Sequence, residues 1–222
     1  MGKRGAKPKG RVVIAWSADI AYAIGLLVTD GCISPNKRHI TFVSKDRVQL
    51  RNFMKALKIR VPISYTTSSY TGKKIPRVQF GDILFCNFLM GIGLMPNKTK
   101  IIGKVVIPHK YFFDFLRGHL DGDGCTYSYW DPRWKSSFMF YTTFVSASRL
   151  HILWLREEIF KKLAISGHIT GKGEKHTVYQ LKYAKKGSLL LLRKMYHTKN
   201  VLCLPRKRLK IEKMLGIVGE QL

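Results

Sequence analysis

Two stretches of the chain read alike: AIGLLVTDGC at residues 23–32 and LRGHLDGDGC at residues 116–125. Aligned, they share two glycines, an aspartate and a cysteine at identical spacing. The tetrapeptide TFVS at 41–44 recurs at 143–146, and MPNK at 95–98 is matched more loosely by LPRK at 204–207. Three matches in the same order indicate that the chain contains a duplicated unit of roughly 100 residues.

Each unit shows the same order of local patterns. Ser17 is a suitable N-cap for a helix from Ala18 to Thr29, and two hairpin signals follow, each succeeded by a helical pattern. The order αββαββα, used twice, predicts an α+β protein with two antiparallel sheets related by a pseudo-two-fold axis. We predict a basic N-terminal arm at 1–16, a first unit at 17–100, a linker at 101–108 and a second unit at 109–222.

The composition favours a folded protein that binds nucleic acid. The chain has 222 residues, of which 45% are hydrophobic, so a disordered basic tail is excluded. Its 40 Lys and Arg against 13 Asp and Glu give a net charge of +27, spread over both units. A membrane partner is disfavoured because no basic amphipathic helix or long apolar stretch is visible. No signal peptide is apparent, and an intracellular protein is expected.

The four cysteines are far apart and form no CxxC pair: Cys32, Cys86, Cys125 and Cys203. A zinc site or a disulfide framework is therefore not expected. We expect reduced thiols that serve as small core residues.

The aspartates of the repeated stretches suggest a metal site. Asp30 and Asp123 each follow a predicted helix, and the glycine after each acid is expected to adopt the left-handed turn that stops the helix. Gly25 and Gly118 would let the two helices approach closely and bring the acids together. Carboxylate oxygens are hard ligands that suit Mg²⁺, with Mn²⁺ as a substitute. Such a pair on a basic surface is typical of a metal-dependent phosphodiesterase.

These stretches resemble the paired LAGLIDADG motifs of single-chain homing endonucleases, and the resemblance covers nearly the whole chain. It implies two saddle-shaped sheets along the DNA major groove, packed through the two motif helices. It implies that Asp30 and Asp123 bind the catalytic metals, with help from Thr29 and Gly122. It also implies a monomer that makes a double-strand break with short 3′ overhangs, using Mg²⁺, whereas Ca²⁺ would bind without supporting catalysis.

The resemblance places further polar residues near the metal-bound waters. Asp46 and Ser148 fall after the strand that follows each motif. Lys98 and its repeat Lys207 fall near the scissile phosphates, where a lysine either stabilises developing charge or makes an ordinary phosphate contact. These two alternatives remain open at the level of sequence.

The second unit departs from the family pattern at two positions. Arg117 and His119 stand where a small and an apolar residue are usual, and both are expected at the edge of the helix interface. Asp121 keeps an acid that the first unit replaces with Val28, and we expect it to cap a helix or form a salt bridge.

Strand alternation predicts which side chains face DNA. With Ile40, Phe42 and Phe144 inward, polar and aromatic residues of both sheets point outward. Trp130 and Trp134 of the longer hairpin are expected to pack against the body. The dissimilar faces predict an asymmetric double-stranded site of roughly 20 base pairs. The candidate DNA contacts are Ser34, Asn36, Lys37, His39, Thr41, Lys45, Lys73, Lys74, Arg77, Gln79, Tyr127, Tyr129, Tyr141, Thr143, Lys172, Lys175, Gln180 and Lys182.

Three functions are compatible with these features. The first is a site-specific double-strand DNA endonuclease, which explains both acids. The second is a catalytically silent DNA-binding regulator, and the third is a maturase that assists the splicing of its host intron RNA. We favour the first because a silent relative has no need of both motif aspartates.

Overall fold

A computed structural model of the chain describes residues 10–68, 71–171 and 178–222. Within these residues the first unit contains three α-helices and one four-stranded sheet. Its elements are α1 (Ala18–Asp30), β1 (Gly31–Ile33), β2 (His39–Val43), α2 (Arg47–Leu57), β3 (Ile63–Thr67), β4 (Lys74–Gly81) and α3 (Ile83–Gly91).

The second unit repeats this order and adds one C-terminal helix. Its elements are α4 (Phe112–Asp121), β5 (Cys125–Trp130), β6 (Phe138–Ser146), α5 (Arg149–Leu163), β7 (His168–Thr170), β8 (Tyr179–Tyr183), α6 (Lys185–Met195) and α7 (Pro205–Ile217). The α+β fold with two antiparallel sheets is therefore confirmed. No helix in the described ranges is long and apolar enough to cross a membrane.

The two sheets have the same topology. Their strand orders are β1-β2-β4-β3 and β5-β6-β8-β7, and every neighbouring pair is antiparallel. Ile40, Phe42 and Phe144 are fully buried, as strand alternation predicts. Each sheet thus has one face on the hydrophobic core and one face turned away from it.

The first motif helix begins at the predicted cap and is surrounded by protein. The Oγ of Ser17 accepts a hydrogen bond of 3.1 Å from the backbone N–H of Ile20. Residues 20–28 are all buried, as in a helix that is apolar on every side. Helix α4 is buried to a similar extent and packs directly against α1.

Two glycines set the distance between α1 and α4. A Cβ on Gly25 would lie 2.1 Å from the carbonyl oxygen of Phe115, and a Cβ on Gly118 would lie 2.1 Å from that of Tyr22. No side chain fits at either position, so the two helices touch backbone to backbone. This confirms the close approach expected from the sequence.

The glycines after the motif acids have a different role from the one expected. Gly31 has an extended backbone with φ −95° and ψ 159°, and neither Gly31 nor Gly124 has a positive φ. A Cβ at Gly31 would lie 2.6 Å from the Cα of Leu27, and one at Gly124 would lie 2.6 Å from the Cα of Leu120. The left-handed turn was therefore a wrong prediction, and glycine is required because the strand leaves close against its own helix.

Arg117 and His119 lie in the interior, which corrects their expected place at the edge of the interface. Arg117 donates to the carbonyl oxygens of Leu202 and Met195 at 2.8 Å and 2.5 Å and pairs with Asp114 at 2.8 Å. Its charge is therefore well satisfied. Neither ring nitrogen of His119 has a hydrogen-bond partner among the described residues.

The His119 ring stacks on that of His151, with centroids 5.3 Å apart and planes at 11°. Burial lowers the pKa of His119 well below its ordinary value and lowers the pKa of His151 to about 4. Both imidazoles are therefore neutral in the folded protein at physiological pH.

The cysteine and tryptophan expectations were wrong in part. All four thiols are free, but only Cys86 is buried, whereas Cys32 and Cys125 are exposed on the first strand after each motif. Trp130 contacts buried Phe138 with ring centroids 5.1 Å apart but stays 54% exposed, and Trp134 is 70% exposed, so the hairpin is not held to the body by two buried tryptophans. Burial of single side chains depends on tertiary neighbours that a local pattern does not specify.

We expect Gly25→Ala to unfold the protein or to lower its melting temperature by more than about 10 °C. The added methyl group would overlap the Phe115 carbonyl and force α1 and α4 apart. Circular dichroism during heating measures the effect. Gly91→Ala is the matched control, because nothing lies within 4 Å of that Cβ position, and it should leave the transition within about 2 °C. Equal melting temperatures for the two variants would contradict the backbone contact.

We expect His119→Leu to stabilise the protein by about 3 °C at pH 7.5, because it removes a buried imidazole whose nitrogens find no hydrogen-bond partner in the described part of the chain. The gain should widen as the pH falls from about 6.5 towards 4. Burial holds the folded pKa below the ordinary 6.5, so the unfolded chain takes up the proton first and the wild type loses stability on acidification. Thermal melts at several pH values test this, with a substitution of an exposed histidine, His168→Gln, as the control. A difference in melting temperature between His119→Leu and the wild type that stays constant with pH would show that His119 is not held neutral.

Candidate functional site

The two motif acids meet where α1 and α4 end. Asp30 is the last residue of α1, and Asp123 lies in the turn after α4. The Oδ2 of Asp30 is 3.0 Å from the position that a Cβ on Gly122 would take. Burial, and then the charge of Asp123, raise the pKa of the Asp30 carboxyl to about 6. The two carboxylates are therefore close enough to repel each other.

Neither acid is neutralised by a salt bridge within the described part of the chain. Asp30 accepts one long hydrogen bond of 3.3 Å from the Oγ1 of Thr29. Asp123 is exposed, although partial desolvation still raises the pKa of its carboxyl. Both carboxylates thus keep lone pairs that a ligand can use.

The donor set fits a hard divalent cation. Asp30 and Asp123 offer oxygen, and the described residues hold no group of three or more His, Cys, Asp and Glu side chains that could bind a metal on its own. Mg²⁺ is commonly held by only one or two carboxylates together with water and phosphate oxygens. A structural zinc site needs four protein ligands and does not fit here.

The two accessory ligands are placed at the same point but are engaged in other contacts. The single hydroxyl proton of Thr29 is shared between Asp30 and the carbonyl oxygen of Leu26, which lies 2.9 Å from Oγ1. The Gly122 carbonyl oxygen accepts from Lys207 at 3.2 Å. A Cβ on Gly122 would lie 1.9 Å from the Oγ1 of Thr29, so the second motif needs glycine here to let the first motif approach.

Both lysines reach back to the motif ends. The Nζ of Lys98 is buried and donates to the Gly31 carbonyl oxygen at 2.6 Å, and burial lowers the pKa of this amine. The Nζ of Lys207 lies among carbonyl oxygens of the α4 end, and burial lowers its pKa as well. Both amines lie near enough to Asp30 for their positive charges to lower the pKa of its carboxyl, against the larger effect of burial.

Asp46 and Ser148 are engaged as helix caps. Asp46 accepts from the backbone N–H of Val48 at 2.9 Å and pairs with Arg206 at 2.9 Å. Ser148 is fully buried, caps α5 and donates to the carbonyl oxygen of Ile102. The structure therefore ties both side chains to protein groups rather than pointing them at the acids.

Asp121 takes the capping role, one of the two that we expected, because it binds the backbone N–H of Leu204, the N-cap residue of α7; it forms no salt bridge within the described part of the chain. Its Oδ2 accepts from the hydroxyl of Tyr22 at 2.8 Å and from the backbone N–H of Leu204 at 2.7 Å. Burial raises the pKa of this carboxyl to about 6. Asp121 thereby joins the first motif helix to the C-terminal segment.

Sequence reasoning missed two side chains near the acids. Gln49 donates from Nε2 to the carbonyl oxygen of Asp121 at 3.0 Å. Ser146 lines a cavity of about 40 Å³ together with Lys98 and Asp123. Ser146 ends the repeated TFVS tetrapeptide, so the repeat contained a signal for this residue, whereas nothing in the pattern around Gln49 marks it.

The outward faces of the two sheets begin next to the acids. Across the first sheet Cys32, Thr41 and Gln79 lie in one row, and across the second Cys125, Thr143 and Lys182 do. The predicted contacts that are exposed or half-buried are Ser34, Asn36, Lys37, His39, Thr41, Lys45, Lys73, Lys74, Arg77, Gln79, Tyr127, Tyr129, Tyr141, Gln180 and Lys182.

Three members of the predicted set differ from the rest. Thr143 shares the outward face but is only 2% exposed. Lys172 and Lys175 lie outside the described residues, as do most of the basic residues of the predicted N-terminal arm.

The second sheet carries a ladder of tyrosines. The rings of Tyr127 and Tyr141 are stacked with centroids 5.0 Å apart, and those of Tyr129 and Tyr141 are 6.2 Å apart. The corresponding face of the first sheet presents basic and amide side chains such as Arg77 and Gln79. The two faces are therefore chemically different.

Comparison with known proteins identifies the fold. No protein-family model matches the sequence, and no curated protein matches it either. Among solved structures, full-length DUF199/WhiA from Thermatoga maritima is 15% identical with a TM-score of 0.57; the match covers 93% of this chain and 62% of that one. The chain therefore spans less than two thirds of that protein.

Two homing endonuclease structures match over most of both chains. I-WcaI bound to its DNA recognition sequence is 16% identical with a TM-score of 0.56, over 88% of each chain. I-DmoI in complex with DNA and Ca is 9% identical with a TM-score of 0.55, over 87% of this chain and 97% of that one. The chain has the LAGLIDADG fold, as the paired motifs predicted.

We expect Asp30→Asn to raise the melting temperature of the metal-free protein by a few °C at pH 7.5. The folded pKa of about 6 lies above the ordinary 3.8, so the charged carboxylate destabilises the fold at neutral pH, and the wild type regains stability as the pH falls from 6 towards 3.8. The gain should therefore shrink on acidification. Melts in EDTA measure it, with surface Glu157→Gln as control; a lower melting temperature for Asp30→Asn at pH 7.5 would contradict the repulsion.

Proposed function

We propose that the protein is a site-specific DNA endonuclease that cleaves both strands of a long asymmetric target by divalent-metal-dependent hydrolysis. The observation that carries this proposal is the meeting of Asp30 and Asp123 at the ends of two packed helices, between two outward sheet faces. Paired carboxylates that repel each other are costly to keep unless a cation uses them. The likeness to DNA-bound homing endonucleases supports the same function.

Asp30 and Asp123 would hold the metal, with the Thr29 hydroxyl and the Gly122 carbonyl beside them. A divalent cation such as Mg²⁺, or Mn²⁺ in its place, would supply Lewis-acid stabilisation of the charge that develops on the phosphate. Ca²⁺ would occupy the site without supporting cleavage. The lysine ammonium groups beside the acids add positive charge where the scissile phosphates would lie.

The sheet faces would bind the duplex in its major groove. A net charge of +27 favours contact with many phosphates, and the exposed Lys, Arg, Gln and Asn side chains of the two sheets are of the types that reach base edges. The tyrosine ladder on the second sheet and the basic first sheet would contact different half-sites. We infer an asymmetric target of roughly 20 base pairs, about one helical turn for each sheet.

One chain supplies both motif helices, so the site needs no second copy. We infer that the protein acts as a monomer in a reducing intracellular compartment, where the exposed thiols of Cys32 and Cys125 would persist.

A DNA-binding regulator of the same fold is the second candidate. The likeness to WhiA favours it, because WhiA shares the fold and is not named as an endonuclease. The two candidates differ in whether they need a metal site. An endonuclease requires a pair of carboxylates with lone pairs free for a metal, whereas a regulator does not.

We expect Asp30→Asn and Asp123→Asn each to abolish double-strand cleavage while the affinity for the target stays within about threefold. The amides cannot hold the metal, whereas binding depends on many phosphate contacts. Selection from a randomised duplex library in Mg²⁺ and in Ca²⁺, followed by sequencing of bound and cut molecules, supplies the target and both readouts.

Glu157→Gln, on the exposed face of α5, is the control and should cleave like the wild type. Full cleavage by the Asp30→Asn/Asp123→Asn double variant would refute the assignment. Binding without cleavage by the wild type in Mg²⁺ would favour the regulator.

A further inference from the structure

The internal repeat pairs each polar group near the acids with an equivalent in the other unit. Ser44 corresponds to Ser146 through the TFVS tetrapeptide, and Lys98 corresponds to Lys207 through MPNK and LPRK. If the two halves of the site were equivalent, these pairs would have similar partners. Their partners differ.

The ammonium group of Lys207 is fully hydrogen-bonded to backbone carbonyl oxygens. Its Nζ lies 2.6 Å from the carbonyl oxygen of Leu120, 2.7 Å from Gly124, 2.8 Å from Asp121 and 3.2 Å from Gly122. An ammonium group has three protons, so four acceptors leave none for a phosphate or a water. The carbonyls at the end of α4 have no partner within the helix, and Lys207 caps them.

The remaining polar groups of the Lys207 half are bound to each other. The hydroxyl of Ser44 donates to the Oε1 of Gln49 at 2.6 Å, and the Nε2 of Gln49 donates to the carbonyl oxygen of Asp121 at 3.0 Å. Asp46 is paired with Arg206. This half is closed by internal hydrogen bonds.

The Lys98 half is open. Among the described residues Lys98 donates only to the Gly31 carbonyl oxygen, which leaves two ammonium protons. His151 takes the place of Gln49, and its Nδ1 lies 2.8 Å from the Gly103 carbonyl oxygen. Ser146 accepts from the backbone N–H of Ser148 at 3.1 Å, and its own hydroxyl proton has no protein acceptor among the described residues.

The open half contains a cavity that suits a water molecule. Its volume of about 40 Å³ exceeds the roughly 10–15 Å³ that one water requires. Lys98, Thr29, Asp123 and Ser146 supply polar walls to it, which meets the need of a bound water for two to four polar partners.

We propose that the two half-sites of the endonuclease are unequal: the half with Lys98, Ser146 and Asp123 orients the attacking water and cuts its strand first, and the half in which Lys207 caps α4 cuts the other strand later. This inference rests on the function proposed above. Its consequence is that a duplex nicked in one defined strand accumulates before the double-strand break.

The chemical step is a hydrolysis in both halves. The oxygen of the attacking water forms a bond to phosphorus, the bond from phosphorus to the 3′-oxygen breaks, and the products are a 5′-phosphate and a 3′-hydroxyl. The proton lost by the water passes to solvent, and solvent returns one to the leaving 3′-oxygen. Lys98 and Ser146 hold the water in line and offset the developing negative charge.

The experiment follows each strand separately. The full chain in Mg²⁺ is mixed with a duplex that carries the library-selected target and a different fluorophore on each strand. We expect the wild type to cut one strand at least tenfold faster than the other. Equal rates would overturn the inference while the endonuclease function stands, and cleavage of neither strand would overturn both.

Variants connect the faster strand to the open half. Lys98→Met should slow the faster strand by about 100-fold, the typical effect of losing one donor to a developing charge, and Ser146→Ala should slow it by about tenfold. Ser44→Ala is the matched control, because its hydroxyl is bound to Gln49, and it should leave the faster rate unchanged. Slowing of both strands alike by Lys98→Met would contradict the proposal.

Thermal unfolding without metal gives a readout independent of cleavage. Lys207→Met removes a donor from four carbonyls, of which only that of Asp121 keeps another donor among the described residues, Gln49, and should lower the melting temperature by about 5 °C or more. Lys98→Met removes a single buried hydrogen bond and should change it by less than half as much. A larger loss for Lys98→Met would show that Lys207 is not the cap and would overturn the assigned roles.

Discussion

The contact between the backbones of α1 and α4 determines the geometry of this protein. Gly25 and Gly118 remove the side chains that would separate the helices, and the carbonyls of Phe115 and Tyr22 occupy the space. Because the helices cross at these points, their C-terminal ends emerge side by side. The position of the two acids, the lysines that reach them and the sheet strands that start beside them all follow from this one contact.

The interior around that contact is more polar than a helix interface usually is. Asp121 joins Tyr22 of the first unit to the backbone of Leu204, and Arg117 holds the carbonyls of Met195 and Leu202. Each buried charge has specific partners, which offsets the cost of removing it from water. These contacts hold the C-terminal segment against both motif helices, and they place Lys207 at the end of α4.

Local sequence patterns were sufficient to predict the helices and strands, but they did not predict the tertiary contacts of individual side chains. The repeat, the Ser17 cap and the strand alternation predicted the helices, the strands and the inward side chains, because these depend on neighbours in the chain. The backbone at Gly31, the exposure of Cys32 and the burial of Arg117 depend on contacts between distant segments. For the same reason the family resemblance singled out Lys98 and the repeat singled out Lys207, but neither revealed that, among the residues that the structure describes, carbonyl oxygens occupy all the protons of the Lys207 ammonium group and only one proton of Lys98.

The contact at Gly25 and Gly118 also limits how such a protein can diverge. Each glycine faces the main chain of the other helix. A change of side chains on that helix cannot move its main chain away. A substitution at one position therefore has no compensating mutation at the other. The outward sheet surfaces and the hairpin turns are under no such constraint, because their side chains do not lie in this contact. The symmetry of the two units is thus preserved at the crossing even where the contacts of their side chains differ, as they do between Lys98 and Lys207.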